Sequence, residues 1–112
     1  MSSTDAVPTE PIQLADPNEF DDYVADGVVL VDFHADWCGP CQMMEPAVEA
    51  VASDTDAAVL TIDIESHLET AIEFGAQSAP TFVLFVDGQP VKQLQGGHKE
   101  QSLRDLVATY GG

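Results

Sequence analysis

The sequence predicts an α/β protein with a central mixed sheet of four to five strands, flanked by four helices in the order βαβαβαββα. Short valine-rich apolar runs alternate with segments whose apolar residues recur at helical spacing, a pattern typical of parallel strands joined by helices. Near the end, Asp87-Gly88 separates two strand-like runs, and such a pair favours an antiparallel hairpin. The 112 residues are the size of one domain, which we predict to cover residues 11–112 behind a flexible tail at residues 1–10.

The first predicted strand and helix lie between residues 11 and 24. "PIQLA", residues 11–15, has the short apolar character of an edge strand. Asp16, Pro17 and Glu19 predict a helix start, because they supply a cap, a proline in the first turn and an acid three positions beyond the cap. Three residues are expected on the apolar face of this helix: Phe20, Tyr23 and Val24.

A central strand and a long helix follow. "GVVLVDFHA", residues 27–35, is mostly apolar and rich in valine, as in parallel strands buried on both faces. Beyond Cys38, apolar residues recur at i, i+3, i+4 and i+7, which predicts a helix that Pro46 should kink because proline removes a backbone donor. Its expected inward-facing residues are Met44, Ala47, Val48 and Val51, and Met43 is also expected to be core or helix filler.

The second half contributes three strands and two helices. Residues 57–64 and 81–86 are predicted strands, and residues 91–95 return antiparallel after the hairpin. Ser66 and Glu69 predict a capping box at the start of the third helix. Gly75 is its predicted end. The residues expected to face inward from the last two helices are Leu68, Ala71, Ile72, Leu103, Leu106, Val107 and Tyr110.

The charge balance is strongly acidic. Twenty Asp and Glu residues face three basic residues, for a formal net charge of −17, and residues 1–91 contain no Lys or Arg. We therefore expect no nucleic-acid partner, because phosphate contacts need basic side chains. Repulsion among so many acids opposes compaction at low salt, whereas at 1 M salt the screening length falls to roughly 3 Å and most of the repulsion vanishes. We therefore predict a protein adapted to concentrated salt. The alternative is an acidic protein of ordinary cytoplasm.

Membrane association and export are not expected from the hydropathy pattern. No apolar run approaches the roughly 18 residues of a membrane span. The N-terminal stretch "MSSTDAVPTEP" lacks the basic start and the apolar segment of a signal peptide. We therefore expect a cytoplasmic protein with no membrane partner.

The two cysteines of the chain, Cys38 and Cys41, are three positions apart. The loop that they could close is so short that a bond between them would remove little entropy from the unfolded chain, so the pair is a poor structural staple. With His34 they offer three metal ligands, whereas a closed zinc site needs four, so no metal site is expected. The spacing favours a redox pair.

The cysteine pair falls where a buried strand ends and a helix begins. The first turn of a helix carries free N–H groups and a partial positive charge, and both favour a thiolate over a thiol. In a Cys-X-X-Cys pair so placed, the ordinary cysteine pKa of about 8.5 falls to about 7 or lower. Pro40 suits the first turn because it has no N–H to lose. Cys41, expected to be the more buried thiol, can then attack a mixed disulfide formed at Cys38.

"WCGPC" after "VLVDFHAD" closely resembles the thioredoxin family, over about residues 11–110, and the acidic balance resembles thioredoxins of salt-loving archaea. The resemblance implies a thioredoxin fold and a thiol–disulfide oxidoreductase that reduces protein disulfides. Cys38 would attack and Cys41 would resolve, within an active-site loop that contains Trp37, Gly39 and Pro40. It also implies disulfide-containing client proteins, a thioredoxin reductase as electron donor, a monomer, and no cofactor besides the Cys38–Cys41 disulfide.

Further site residues are carried over from the family by position. Asp32 matches the buried aspartate that moves the proton of the resolving cysteine, and burial should raise its pKa. The alternative is that Asp32 only accepts hydrogen bonds. Pro80 matches a cis-proline opposite the active-site loop, and the backbone of Ala79 would pair with a substrate strand. Gly96 matches a glycine of the docking surface, or is a simple turn residue. Trp37 would cover the dithiol, or is a partly buried core aromatic.

The chain also departs from the family pattern. Thr61 stands where a lysine often neighbours the buried aspartate, so the pKa of Asp32 should be higher. His34 replaces an aromatic residue and would tune the dithiol as a cation or a proton relay, unless it is a packed neutral histidine. Gln42 replaces a common basic residue. Two histidines are expected to be exposed and passive: His67 and His98. The alternative to catalysis is a non-catalytic, thioredoxin-like binding module or a redox-gated partner.

Overall fold

Five strands form one mixed sheet in the computed structural model, which describes residues 7–76 and 78–111. Their order across the sheet is β1-β3-β2-β4-β5, with β1, β3 and β2 parallel and the β4–β5 hairpin antiparallel. The predicted mixed sheet and the central position of β2 are confirmed. The strands are β1 (Ile12–Gln13), β2 (Val28–His34), β3 (Ala58–Asp63), β4 (Thr81–Val86) and β5 (Gln89–Gln95). The first six residues of the predicted tail lie outside the described part of the chain.

Four α-helices join or follow the strands: α1 (Phe20–Val24), α2 (Gly39–Asp54), α3 (Leu68–Glu73) and α4 (Glu100–Gly111). A 3-10 turn over Pro17–Glu19 precedes α1, and the carboxylate of Asp16 accepts a hydrogen bond from the amide of Asn18 at 2.9 Å, as its position as a cap predicts. Pro46 lies inside α2, and Gly75 follows α3 with a φ of +68°, a conformation that favours glycine.

The sheet separates two apolar cores, because successive strand residues point to opposite faces. In β2, Leu30 packs in the core that contains α2 and α4, whereas Val31 and Phe33 pack in the core that contains Phe20 of α1. Asp32 and His34 share the face of Leu30, so the strand directs both polar side chains toward α2. This alternation places Asp32 and His34 on the same side of the sheet as α2.

The third helix corrects two predictions. Leu68 and Ile72 are exposed, at 61% and 59%, and Ala71 alone of the expected inward residues is buried. The helix has six residues, fewer than two turns, and buries only Ala71, in the core that also contains Phe33. The predicted capping box is also wrong, because His67 occupies the cap position and no side chain caps the helix.

His67 is buried, not exposed as the sequence suggested. Its Nε2 lies 3.1 Å from the carbonyl oxygen of Leu14, and its own amide donates to the carbonyl of Asp63. The turn after β3 therefore folds against the segment after β1, a long-range contact that local spacing does not encode. His98 is half-buried, with Nε2 3.0 Å from the carbonyl oxygen of Gln95.

Three other expected core residues reach solvent. Met43 is 83% exposed, because it points away from the face of α2 that carries the buried Met44. Tyr23 and Tyr110 are 38% and 43% exposed, so these helices bury their aliphatic residues and leave the rings at the rim of the core. Phe20, Val24, Leu103, Leu106 and Val107 are buried as predicted.

The hairpin turn is tied to the start of the central strand. Asp87 and Gly88 both have positive φ, +49° and +86°. The carboxylate of Asp87 accepts from the amide of Gly27 at 2.8 Å, and the amide of Asp87 donates to the carbonyl of Gly27 at 2.9 Å. The turn thus fixes where β2 enters the sheet.

Replacement of Asp87 by alanine is expected to lower the free energy of unfolding by about 1–2 kcal/mol, because alanine loses the acceptor and tolerates a positive φ less well. Chemical denaturation measures the change. Asp87→Asn is the matched control, since it loses the same charge yet keeps an oxygen acceptor and accepts the left-handed conformation. Equal losses in the two variants would show that the turn contacts contribute nothing.

Candidate active site

The cysteine pair lies at the start of α2, directly after the turn that ends β2. Cys38 occupies the cap position with extended backbone, and its Sγ accepts a hydrogen bond from the amide of Cys41 at 3.1 Å. Pro40 is in the first turn, as predicted. Cys38 and Cys41 form a disulfide, with their Cα atoms 5.3 Å apart. The structure is therefore that of the oxidised protein.

Both sulfur-bearing side chains are covered in this oxidised form. Cys38 is 3% exposed and Cys41 is 8% exposed, so the prediction that Cys41 is the more buried of the two is wrong here. The reason is the capping geometry: the side chain of Cys38 folds back over the helix start to reach the amide of Cys41.

The start of α2 provides an electrostatic environment suited to a thiolate. The helix has 16 residues, and its first turn contains no acidic side chain although the protein as a whole is strongly acidic. The partial positive charge of the helix start and the amide of Cys41 therefore act on Cys38 Sγ without an opposing carboxylate in that turn. This arrangement favours the reduced pair once the disulfide opens.

A cavity of about 250 Å³ lies beside the pair, between α2 and the sheet. Its sheet side contains Gln13, Thr61 and Asp32, which are neighbours in register across β1, β3 and β2. Its helix side contains Cys41 and Glu45, one turn apart. The resolving cysteine and the buried aspartate therefore face one shared space.

Among the Asp and Glu side chains that the structure describes, Asp32 is the buried one, at 8% exposed. Its Oδ1 has no hydrogen-bond partner among the described residues. Burial, with a smaller contribution from the negative charge of Glu45, raises the pKa of Asp32 to about 7. The predicted rise is confirmed, and Thr61, the partner of Asp32 in β3, supplies no cation to oppose it.

His34 lines the same cavity as Asp32, because the two are separated by one residue in β2 and so share a face. It is half-buried. The position is compatible with either of its predicted roles, and its function in tuning the pair stays a prediction. The side-chain amide of Gln42 donates to the carbonyl of Asp36 at 3.3 Å, which ties the helix start to the preceding turn.

The expected docking residues lie on three segments. Trp37 is 63% exposed, so it is not a core aromatic, and its indole N–H donates to Glu65 Oε2 at 2.9 Å. The Ala79–Pro80 peptide bond is cis, as the resemblance implied. Gly96 has a φ of +83°, and its amide donates to the carbonyl of Pro80 at 2.8 Å, which brings these two residues together.

Sequence reasoning missed two acidic residues of the site: Glu45 and Glu65. Glu45 had a usable signal, because a residue four positions after Cys41 on a helix lies on the same face. Glu65 had none, since its contact with Trp37 joins residues 28 positions apart. Within residues 7–76 and 78–111, no group of three or more His, Cys, Asp or Glu side chains could hold a metal ion, and no helix is long and apolar enough to span a membrane.

Comparisons with known proteins agree with this fold. The family model described as Thioredoxin matches residues 11–109. Thioredoxins of Chlamydia muridarum and Staphylococcus saprophyticus are 39% and 40% identical over 100 and 101 residues, each match covering 88% of this chain and 98% and 96% of the relative. A mutant thioredoxin from Halobacterium salinarum superposes with a TM-score of 0.90 at 45% identity, covering 96% of both chains.

A mixed five-stranded sheet with a Cys-X-X-Cys disulfide at the start of a helix defines the class of thiol–disulfide oxidoreductases that reduce protein disulfides. This chain belongs to the thioredoxin family. The expected fold and the expected activity are thereby confirmed, and a halophilic archaeal thioredoxin is among its structural neighbours.

Proposed function

We propose that Cys38 is the nucleophile and Cys41 the resolving thiol of this oxidoreductase. The observation that carries the assignment is the position of Cys38 Sγ, which caps α2 and accepts the amide hydrogen bond of Cys41. The helix start stabilises negative charge on that sulfur more than on one a full turn further along. Cys38 therefore forms the better thiolate, and Cys41 is held within bonding distance of it.

The reaction transfers two electrons from the protein dithiol to a substrate disulfide. The Cys38 thiolate attacks one substrate sulfur, the substrate S–S bond breaks, and the other substrate sulfur leaves as a thiolate that takes up a proton. Cys41 then loses its proton and attacks Cys38 Sγ. The mixed disulfide breaks, the second substrate sulfur leaves reduced, and the Cys38–Cys41 disulfide remains.

Asp32 is the proposed base for the second step. Its carboxylate shares the cavity with Cys41, and a pKa of about 7 leaves it basic enough to take the thiol proton near neutral pH. Oδ1 has no partner among residues 7–76 and 78–111, which supports this role, because such an oxygen can receive a proton directly or through water in the cavity. The proton later returns to solvent.

Client proteins would dock on the surface formed by Trp37, Ala79, Pro80 and Gly96. The exposed indole and the adjoining backbone of the last two residues support a partly apolar contact with an extended substrate segment. A thioredoxin reductase would return electrons to the Cys38–Cys41 disulfide, which serves as the redox group without a bound cofactor. We propose a cytoplasmic monomer acting on disulfide-containing proteins.

An insulin-type reduction assay tests the proposed activity. The wild-type chain should accelerate disulfide reduction by dithiothreitol, and the double variant Cys38→Ser, Cys41→Ser should show only the uncatalysed rate. Client capture by the same double variant provides the second readout. Full partner function without either thiol would favour the binding module over exchange.

The acidic surface supports adaptation to concentrated salt. The formal net charge is −17, and Arg104 is a base engaged by two carboxylates, contacting Asp54 at 2.7 Å and Glu100 at 2.8 Å. Most other carboxylates are exposed without cations nearby in sequence. Their mutual repulsion opposes folding at low ionic strength and is screened at high ionic strength.

The free energy of unfolding should therefore rise by a few kcal/mol between about 0.1 M and about 3 M KCl, as the screening length falls from about 10 Å to below 3 Å. Thermal or urea unfolding at each salt concentration measures it. A variant with four exposed acids neutralised, at Asp21, Asp22, Glu69 and Glu73, is the control and should depend less on salt. Equal stability of the wild type at both concentrations would contradict the adaptation.

A further inference from the structure

The cavity beside the disulfide contains more than the two groups that the reaction uses. Asp32 and Cys41 face it from the sheet and from α2, and Glu45 lies one helical turn beyond Cys41 on the same face. Glu45 is exposed, whereas Asp32 is buried and its Oδ1 has no partner in the described part of the chain. The exposed carboxylate of Glu45 thus lies at the mouth of the cavity. The carboxyl of Asp32, which gains and loses a proton in the proposed reaction, lies inside it.

The charged and titratable groups around Asp32 lie in the cavity and not at its register positions in the sheet. The neighbouring residues in register are uncharged: Thr61 in β3 and Phe82 in β4. The strand β1 contributes the uncharged Gln13. The titratable or charged residues that line the cavity, besides Asp32 itself, are His34, Asp36, Cys41, Glu45 and Glu49.

We propose that Glu45 is a positioning residue for proton transfer, which acts on Asp32 from the cavity mouth and sets the pH at which Asp32 can accept the proton of Cys41. This inference rests on the proposed function, since it adds a residue to the same step. Glu45 makes no bond to the reacting sulfurs. Its negative charge disfavours a second negative charge on Asp32, so Asp32 holds its proton to higher pH and is the stronger base once ionised.

Because Thr61, the register neighbour of Asp32, is uncharged, the effect of Glu45 on Asp32 is not offset by a cation in the sheet. A cation at that register position would stabilise ionised Asp32 and oppose Glu45, but Thr61 supplies none. The charge of Glu45, which lines the same cavity from α2, therefore acts on Asp32 with no cation at that register position to offset it. The residue couples the acidic surface of the protein to the chemistry of its buried carboxyl.

The test is the pH titration of the Asp32 carboxyl carbon by NMR in the oxidised protein, at one fixed salt concentration, with Glu45→Gln and Glu45→Lys. The midpoint should fall by about half a pH unit in Glu45→Gln, and by about twice as much in Glu45→Lys, because one and then two charge units are changed at one site. The pH profile of disulfide reduction by the reduced protein should move in the same direction.

Glu49→Gln is the matched control, because it removes the same charge from the same cavity one turn further along α2. Its shift should be less than half that of Glu45→Gln. An unchanged midpoint in both Glu45 variants, or an equal shift in Glu49→Gln, would overturn the inference. The titration is separate from the proposed function, since it needs no turnover. A shifted midpoint with an unmoved pH profile of reduction would also overturn the inference, whereas loss of all reduction by the wild type would instead contradict the proposed function.

Discussion

Replacement of Cys41 by serine is expected to trap the protein on its substrates as a stable mixed disulfide. Cys38 keeps its place as the cap of α2 and still attacks, but no thiol remains to break the new S–S bond. Multiple turnover should fall by at least about 1000-fold, because resolution then depends on thiols from solution. Non-reducing electrophoresis and mass spectrometry of the adduct measure the trapping.

Cys38→Ser is the matched control for this experiment. It removes the attacking sulfur, so it should form neither the adduct nor reduced product, although Cys41 is present. An adduct at Cys41 in the Cys38→Ser variant, formed as fast as the adduct at Cys38 in Cys41→Ser, would reverse the assignment of the two roles. Retained turnover in Cys38→Ser would refute the exchange mechanism.

Replacement of Asp32 by asparagine is expected to stabilise the oxidised protein strongly above neutral pH. The pKa of Asp32 is about 7 in the folded chain, against 3.8 for an ordinary aspartate. The difference of roughly three units corresponds to about 4 kcal/mol. Asparagine removes the ionisation and keeps the shape, so most of this energy should be recovered near pH 8.

The pH dependence of this gain has a defined direction. Well below pH 3.8 the carboxyl of Asp32 is neutral in the folded and the unfolded chain, so burying it costs the wild type no free energy of ionisation. As the pH rises, Asp32 ionises first in the unfolded chain, so the free energy of unfolding of the wild type falls. The fall stops once the folded carboxyl also ionises, at about pH 7. The advantage of Asp32→Asn should therefore grow between about pH 4 and about pH 7 and then level off.

Urea unfolding of the oxidised wild type and variant across this range measures the gain. Asp21→Asn is the control, because it removes one exposed carboxylate with the same loss of charge and should differ from wild type by a nearly constant amount. A pH-independent difference for Asp32→Asn would show that the buried carboxyl is not perturbed by its surroundings.

The sequence predicted the elements whose residues carry strong local signals. The valine-rich run became β2 at the centre of the sheet, and the Asp87-Gly88 pair became a turn with two positive φ angles. The Cys-X-X-Cys spacing after a buried strand predicted a pair at a helix start, where it lies. In each case a short-range preference of the backbone agrees with the final packing.

Errors occurred where distant segments decide the environment. His67 is buried because the turn after β3 packs against Leu14, 53 positions earlier. Leu68 and Ile72 are exposed because a six-residue helix needs few contacts, a limit that apolar spacing does not reveal. The hydrogen bond from Trp37 to Glu65 likewise joins two loops that only the completed sheet brings together.

The relation between Asp32 and its cavity was predictable in part. A carboxyl within an apolar strand implied burial and a raised pKa, and both are found. The influence of Glu45 was not recognised, because it follows from α2 lying over the row of Gln13, Thr61 and Asp32. Helix spacing placed Glu45 near Cys41, but the distance to the sheet depends on the tertiary structure.

The most direct measurement is the pH dependence of alkylation of Cys38 by iodoacetamide in the reduced Cys41→Ser variant. Stabilisation of the sulfur by the start of α2 predicts a half-maximal rate at least about one pH unit below the value of about 8.5 for an ordinary cysteine. Unfolding the same variant in urea should move the midpoint back to that ordinary value. A midpoint in the folded protein at or above about 8.5 would contradict the stabilisation of a Cys38 thiolate.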